Sequence, residues 1–559
     1  MRTLIVALIV WLIGFAPLCG ATETEHPRDS LFVLAYHEVV GDDYKGRDQH
    51  AVKISELVAH FAWLRENGFQ PVSLAQVISS RNGGAALPAK AVLLTFDDGY
   101  RSFYTRAFPL LELYGYPAVL AVVGSWLEVP AGSVVQYGDS EQRPREDFVT
   151  WDEVRKLVRS GRVEIASHSY ALHRGILGNA HGNTQPAATT REYDVQQARY
   201  ETDAEYLARV RADLQRNSDL IAREAGAPPK AIAWPFGSYN DALVQVAAEL
   251  GMPITLTLDD GLNRRDQPMA KLKRSLVENN PGVQDFLYSL RSASTPHRRR
   301  MARIALDDLY DPDPAERERR LSRALDEIEA LAPTTVVLRA YSSALTPLAV
   351  YFPNRRVPMR ADMLNRAAWQ IQTRLRMTVV VELPTAAVGL PEVEIRELYE
   401  DLAKHAHFGG LLFDAATITT PWRDVHALSA AAKRFRAPLQ SYFALPAEAL
   451  AAEVTSPASL LEAVRNHDYL VVMLEDRASP RSLTQHVAQA SALARGLDRV
   501  VFDLGDGTRS LGRGRDPTQL KALHALGAFN VSYRTFERSR MQAQRPASTP
   551  GEPVFSATR

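Results

Sequence analysis

Ala91-Val92-Leu93-Leu94-Thr95-Phe96-Asp97-Asp98-Gly99 runs an apolar stretch directly into two neighbouring carboxylates and a glycine. Further on, Val163-Glu164-Ile165-Ala166 leads in the same way into Ser167-His168-Ser169-Tyr170-Ala171-Leu172-His173. Neighbouring residues at a strand end point in different directions, so one carboxylate is free to ligate a metal while the other handles a proton. One Asp oxygen with two His nitrogens suits a divalent transition metal that keeps open positions for water and substrate. Residues five apart do not stack on one helix face, which puts His173 on a loop or a first helical turn beyond the strand carrying His168. Alone, Asp-Asp-Gly reads as a turn and the paired histidines as incidental; each behind an apolar strand, they point together to a metal-dependent site.

The chain has 559 residues, too many for one core, and we read two domains. Its 65 basic and 65 acidic residues cancel, so no global field draws it to nucleic acid. Arg2 followed by the apolar run Leu4 to Leu18 reads as a secretory signal peptide over residues 1–21, too short for a membrane span of about 20 residues. Cleavage after Ala21 removes Cys19, the only cysteine, and with it any disulfide. The alternative is lipidation of Cys19, which would anchor a periplasmic protein to the outer membrane.

Outward from the first motif, apolar strands are expected at Leu31–Ala35, Ala91–Phe96, Ala118–Val123, Val163–Ala166, Ala231–Trp234, Ile254–Leu258 and Lys271–Leu276. Helical stretches such as Ile54–Asn67 and Asp152–Arg159 lie between them. The class is α/β, and seven strands give an incomplete (β/α)7 barrel over residues 30–290. The polar segments Glu128–Phe148 and Leu177–Glu201 fall on the rim that holds the site, where they would shape its entrance. His297-Arg298-Arg299-Arg300 reads as part of a solvated linker, 291–301, rather than a nucleic-acid patch. Eight more apolar runs alternate with helical segments from 302 to 540, the pattern of a (β/α)8 barrel, and 541–559 reads as a disordered tail.

Thr95-Phe96-Asp97-Asp98-Gly99 and Ser167-His168-Ser169 with His173 resemble the first two motifs of the polysaccharide deacetylase family, also called carbohydrate esterase family 4. Tyr36-His37-Glu38 resembles its early Tyr-His motif, and Trp234-Pro235-Phe236-Gly237 stands where its third should fall. There Ala233 replaces the expected arginine, and Leu272-Lys273-Arg274-Ser275 replaces the closing Leu-x-His. These departures and the long C-terminal extension narrow the resemblance to the periplasmic poly-β-1,6-N-acetylglucosamine N-deacetylases of biofilm export systems. Ala305 to Pro312, Tyr351 to Asp362 and Leu398 to Leu402 look like that branch's second domain.

The resemblance implies a metal held by Asp98, His168 and His173, with Asp97 as base. Zn, Ni, Co and Fe(II) all suit these ligands. It implies removal of acetate from a β-1,6-linked N-acetylglucosamine polymer, with the Phe236 backbone amide near the oxyanion and Trp234 and Phe236 against the substrate. The general acid stays open: His37 is a candidate for that role, for steadying the oxyanion, or for hydrogen-bonding another site residue. Asp259, Asp260 and Arg264 are expected to orient Asp97. In the second barrel Asp307 and Asp308 are expected to bind polymer and Asp414 and Glu475 are candidate acids, yet Phe413-Asp414-Ala415-Ala416 lacks at least one carboxylate that relatives carry, and Glu382 stands where they place an aromatic residue. Binding, with or without cleavage, is the expected role. The implied partner besides the polymer is an outer-membrane export porin. Two rival readings share these residues: a deacetylase of another N-acetylated glycan, such as peptidoglycan or a chitin-like chain, and a non-catalytic polymer-binding chaperone.

Overall fold

Leu31–Tyr36 and Ala91–Phe96 are buried along their whole length, as parallel strands covered on both faces must be. They pair in parallel from Leu31 with Ala91 to Tyr36 with Phe96, so His37 and Asp97 leave the sheet side by side. The computed structural model describes residues 29–138, 141–291, 298–342, 345–414, 422–450, 457–475, 478–506 and 518–534. The expected signal peptide with Cys19 and the expected tail lie outside the described residues.

The first sheet runs in the order Ile254–Leu256, Ala231–Ala233, Val163–Ser167, Ala118–Val122, Ala91–Phe96, Leu31–Tyr36 and Ser275–Leu276, with the short strand Gln70–Pro71 added beside Ala91–Phe96. All ladders in it are parallel. The seven expected strands are all present, although the last is cut to two residues behind a 3-10 turn at Met269–Lys271. The sheet curls until its ends almost meet, and Leu272 bridges the gap, its N–H donating to the Thr255 carbonyl and its own carbonyl accepting from Thr257 N–H. Thr202 and Glu205 form a capping box at the start of the long helix Asp203–Ala225, and Gly226 ends it at φ 90°, as a left-handed stop favours. Both polar rim segments contain β-hairpins: Val134–Tyr137 with Glu141–Pro144, Gly175–Leu177 with Thr184–Pro186, and Tyr193–Asp194 with Arg199–Tyr200.

The second unit is a closed eight-stranded parallel barrel of Arg300–Ala305, Thr335–Arg339, Thr378–Glu382, Gly410–Asp414, Gln440–Pro446, Tyr469–Met473, Val500–Asp506 and Val531–Arg534. Met301, Val337, Val380, Leu412, Tyr442 and Val471 fill its interior, the layered packing such a barrel requires. Arg300 and Met301, expected in the linker, already pair in the first strand of this barrel. The basic run is not simply solvated: Arg299 lies 4.1 Å over the Tyr469 ring and Arg298 4.5 Å over Phe529. Flat guanidinium groups stack on aromatic faces while keeping their charge near water, which is why the run closes the N-terminal end of the barrel.

The two barrels touch. Lys404 Nζ donates to Asp203 (2.9 Å), the Asn183 amide donates to the Asn365 carbonyl (3.0 Å), and Asp241 N–H donates to the Arg434 carbonyl (3.2 Å). No helix among the described residues is long and apolar enough to cross a membrane.

Candidate active site

Strand Ala91–Phe96 ends at Asp97, and the chain turns through Asp98 (φ 70°) and Gly99 (φ 71°). Two successive left-handed residues are unfavourable for ordinary side chains, and a Cβ on Gly99 would come within 3.3 Å of Val122. This tight turn points Asp98 inward beneath the loop that carries the histidines. Asp98 Oδ1 lies 3.2 Å from His168 Nε2 and 3.3 Å from His173 Nε2. The three donor atoms lie within 4.8 Å of one another, and all three residues are buried.

These residues fit a metal. His168 Nδ1 lies 2.8 Å from the Ala233 carbonyl, which can only accept, so Nδ1 carries a proton and Nε2, which faces Asp98, is the nitrogen a metal would take in exchange for the proton that Asp98 and Asp97 favour there against burial. Burial opposes the charge on Asp98, but in the acid range where Asp98 would titrate the protonated His173 and His168 outweigh it and hold the carboxyl far below its usual range. Burial lowers His173 to about 4, so its ring is neutral, as a ligand must be. Tyr137, on a rim hairpin, donates its hydroxyl to Asp98 Oδ2 at 2.8 Å and thereby fixes the carboxylate plane.

Asp97 is 3% exposed, and burial alone would favour its neutral form. The Arg274 guanidinium reverses this, donating from Nη1 to Asp97 Oδ1 at 2.8 Å and holding the carboxyl below its usual range. Arg274 is itself fully enclosed and also donates from Nε to the Thr257 carbonyl. The arginine missing at Ala233 is thus supplied from the chain segment that closes the sheet. This corrects the expectation for Asp259, Asp260 and Arg264. Asp259 accepts from the Tyr239 hydroxyl, Asp260 from Ser275, and the Arg264 carbonyl from Arg81.

Trp234 also departs from expectation. It is 1% exposed and packed among Leu172, Tyr239 and Leu243, so it is part of the core and cannot face a sugar. The turn after it brings out Phe236 instead, at φ 57° and 47% exposed, with its ring 4.4 Å from that of His173. His37 stands in the field of both carboxylates. Burial lowers its proton affinity while Asp98 and Asp97 raise it, with a net lowering, and its Nδ1 is buried without a partner.

The histidine loop is held from below by Asp213, whose two carboxylate oxygens accept from Tyr170 N–H and Ala171 N–H, each at 2.8 Å. Neither Asp213, Arg274 nor Tyr137 carries a local sequence signal of this role. Only Arg274 was traceable, by asking where the missing arginine had gone. Asp213→Ala frees the two backbone amides between the ligands and is expected to weaken metal affinity by about 10–100-fold, as losing an outer-shell partner typically does. A competition titration against a coloured chelator measures it.

In the second barrel, Asp307 accepts from Ser342 Oγ (3.0 Å), from Arg360 Nη1 (3.1 Å) and from the Tyr351 hydroxyl. Asp308 lies half-buried beside it. Arg303 lies among Glu382, Asp414 and Asp503 at 2.8, 3.1 and 3.5 Å. Asp414 is thereby engaged by Arg303 as an ion-pair partner. Glu475 is exposed at the next strand end but one, outside that cluster.

The polysaccharide deacetylase family matches residues 84–255, and the hypothetical glycosyl hydrolase family 13 matches residues 303–395. The chain is 35% identical over 442 residues to a poly-beta-1,6-N-acetyl-D-glucosamine N-deacetylase of Escherichia coli K12, covering 72% of this chain and 65% of that relative. It is 24% identical over 261 residues to a polysaccharide deacetylase-like protein of Bacillus subtilis, YxkH, covering 47% of this chain and 75% of that one. Among solved structures, the BpsB deacetylase domain of Bordetella bronchiseptica is 45% identical, covers 45% of this chain and 97% of its own, and superposes with a TM-score of 0.42. The first barrel thus holds the segment that matches the polysaccharide deacetylase family, and the second holds the segment that matches a glycosyl hydrolase family.

Proposed function

We propose that this protein removes acetyl groups from poly-β-1,6-N-acetyl-D-glucosamine, with a divalent ion held by Asp98, His168 and His173. The observation that carries this is the pairing of a buried Asp-His-His donor set with a separate carboxylate, Asp97, kept ionised by Arg274. When bound, the ion supplies Lewis acidity to the substrate carbonyl and lowers the pKa of water. Asp97 takes the proton of the attacking water, the Phe236 backbone amide faces the developing oxyanion, and His37, a neutral ring in the field of both carboxylates, relays that proton from Asp97 to the departing amine. Acetate and a glucosamine unit are the products.

The second barrel binds the deacetylated polymer rather than cleaving it. Glycoside hydrolysis works through a pair of carboxyl groups facing the scissile bond, and in this cluster Glu382, Asp414 and Asp503 all turn to Arg303 instead. Export to the periplasm, an outer-membrane attachment through Cys19 and delivery to an outer-membrane porin complete the reading.

Acetate release from a defined β-1,6-N-acetylglucosamine pentamer tests it, with product masses read from the same reaction. We expect loss of acetyl mass that a chelator abolishes and added divalent metal restores, with no shortening of the chain. Release from peptidoglycan or chitin oligomers but not from the pentamer would overturn the substrate, and no release with any metal would overturn the activity.

A further inference from the structure

Where the hairpin Gly175–Leu177 with Thr184–Pro186 meets helix Met363–Arg374, the two barrels enclose a cavity of ≈ 210 Å³. That is smaller than the roughly 300–1,000 Å³ of pockets for drug-sized ligands, and suits one ring-sized unit. Its lining carries no carboxylate, lysine or arginine; Asn183, Gln185, Asn365, Gln372 and His407 supply the polar groups, and the half-buried Trp369 supplies a flat aromatic face.

The polar groups have fixed orientations. Asn365 Nδ2 donates to Asp362 Oδ2 at 3.0 Å, which assigns the other amide atom as oxygen, and that Oδ1 is buried without a partner. Gln372 Nε2 donates to the His407 carbonyl (3.3 Å), so its Oε1 must be the atom 2.9 Å from His407 Nδ1. His407 therefore carries its proton on Nδ1 and leaves Nε2 as an acceptor. Burial lowers His407 to about 3, so the ring is neutral. His407 Nε2 is thus left as an acceptor in an uncharged pocket with one aromatic wall, beside the side-chain amides of Asn183 and Gln185. A neutral pyranose with hydroxyl and acetamide N–H groups matches this; a charged glucosamine does not, since nothing in the lining neutralises an ammonium.

The hairpin whose second strand lines the cavity begins two residues after His173, so the cavity wall and that ligand belong to one continuous rim segment. We propose that this cavity is a subsite for a still-acetylated hexosamine unit of the polymer, away from the unit being deacetylated. The inference rests on the glycan reading above. A chain held there would present its neighbouring units to the first barrel and leave units already converted to amines free to move towards the second.

The test uses the full-length protein carrying Asp97→Asn to prevent turnover, with Trp369→Ala and Trp369→Phe added separately. Binding of fully acetylated and fully deacetylated β-1,6 hexamers is measured by calorimetry, and thermal unfolding verifies the fold of each variant. We expect Trp369→Ala to weaken the acetylated hexamer about tenfold or more, Trp369→Phe to restore most of it, and neither to alter the deacetylated hexamer. Unchanged affinity of Trp369→Ala for the acetylated hexamer, equal losses for both hexamers, or no binding of the acetylated hexamer to the parent would each overturn the subsite. If Trp369→Ala unfolds, Gln185→Ala is measured under the same criteria. Trp369-dependent binding in a protein that releases no acetate would leave the subsite standing and remove only the deacetylase reading.

Discussion

Asp97→Asn is expected to lower acetate release by about 10²–10⁴-fold, the usual contribution of a positioned general base, while metal content stays unchanged. The amide has the shape of the carboxylate and keeps an oxygen for Arg274, but it cannot accept the proton of the attacking water. The three metal donors belong to other residues, with Asp98 held by Tyr137 and His168 by the Ala233 carbonyl, so they keep their places. Single-turnover acetate release together with metal analysis separates the two effects. Activity within about tenfold of the parent would move the base elsewhere, and loss of the metal would make Asp97 part of the ligand set.

Arg274→Met is expected to act on stability and on pH dependence together. Breaking a buried ion pair by removing one partner costs about 3–5 kcal/mol, because the charge left behind is uncompensated. Arg274 has a completely enclosed side chain and Asp97 is 3% exposed, so solvent cannot substitute for the lost partner. The sign of the pH effect follows from Asp97. In the parent its carboxyl is held below the usual range, so the stability the pair contributes is present above the unfolded-state value and is lost as pH falls through the lower folded-state value. Without Arg274, burial dominates and raises the folded-state value, so the base is protonated at a higher pH. The acid limb of the pH–rate profile should therefore move to higher pH in Arg274→Met, with partial recovery in Arg274→Lys. An unmoved acid limb in a folded variant would show that Arg274 does not control the base.

Much of this was legible in the chain. The seven first-barrel strands and eight second-barrel strands all appear near their expected positions, because a parallel strand buried on both faces must be a continuous apolar run. The triad was legible for a related reason: Asp98 and His168 lie within two residues of such runs, His173 is on the short loop that follows, and strand ends converge at one mouth of the sheet. Rim hairpins were not, since strands such as Glu141–Pro144 are exposed, polar and lack an apolar alternation.

Partners across the fold were decided by tertiary structure. Arg274 reaches Asp97 because the curled sheet brings its last segment beside its first strands, a pairing 177 residues apart in sequence. Trp234 and Phe236 stand two positions apart, yet a left-handed turn sends one into the core and the other to the surface. Asp414 ends its strand as expected, but Arg303, from the opposite part of the barrel, reaches it only once the barrel closes. The sequence by itself determined which segments are buried and where chemistry-bearing residues leave them, because burial writes a local pattern. Which charge meets which was settled by register, sheet closure and the contact between barrels, none of which leaves a pattern in neighbouring residues.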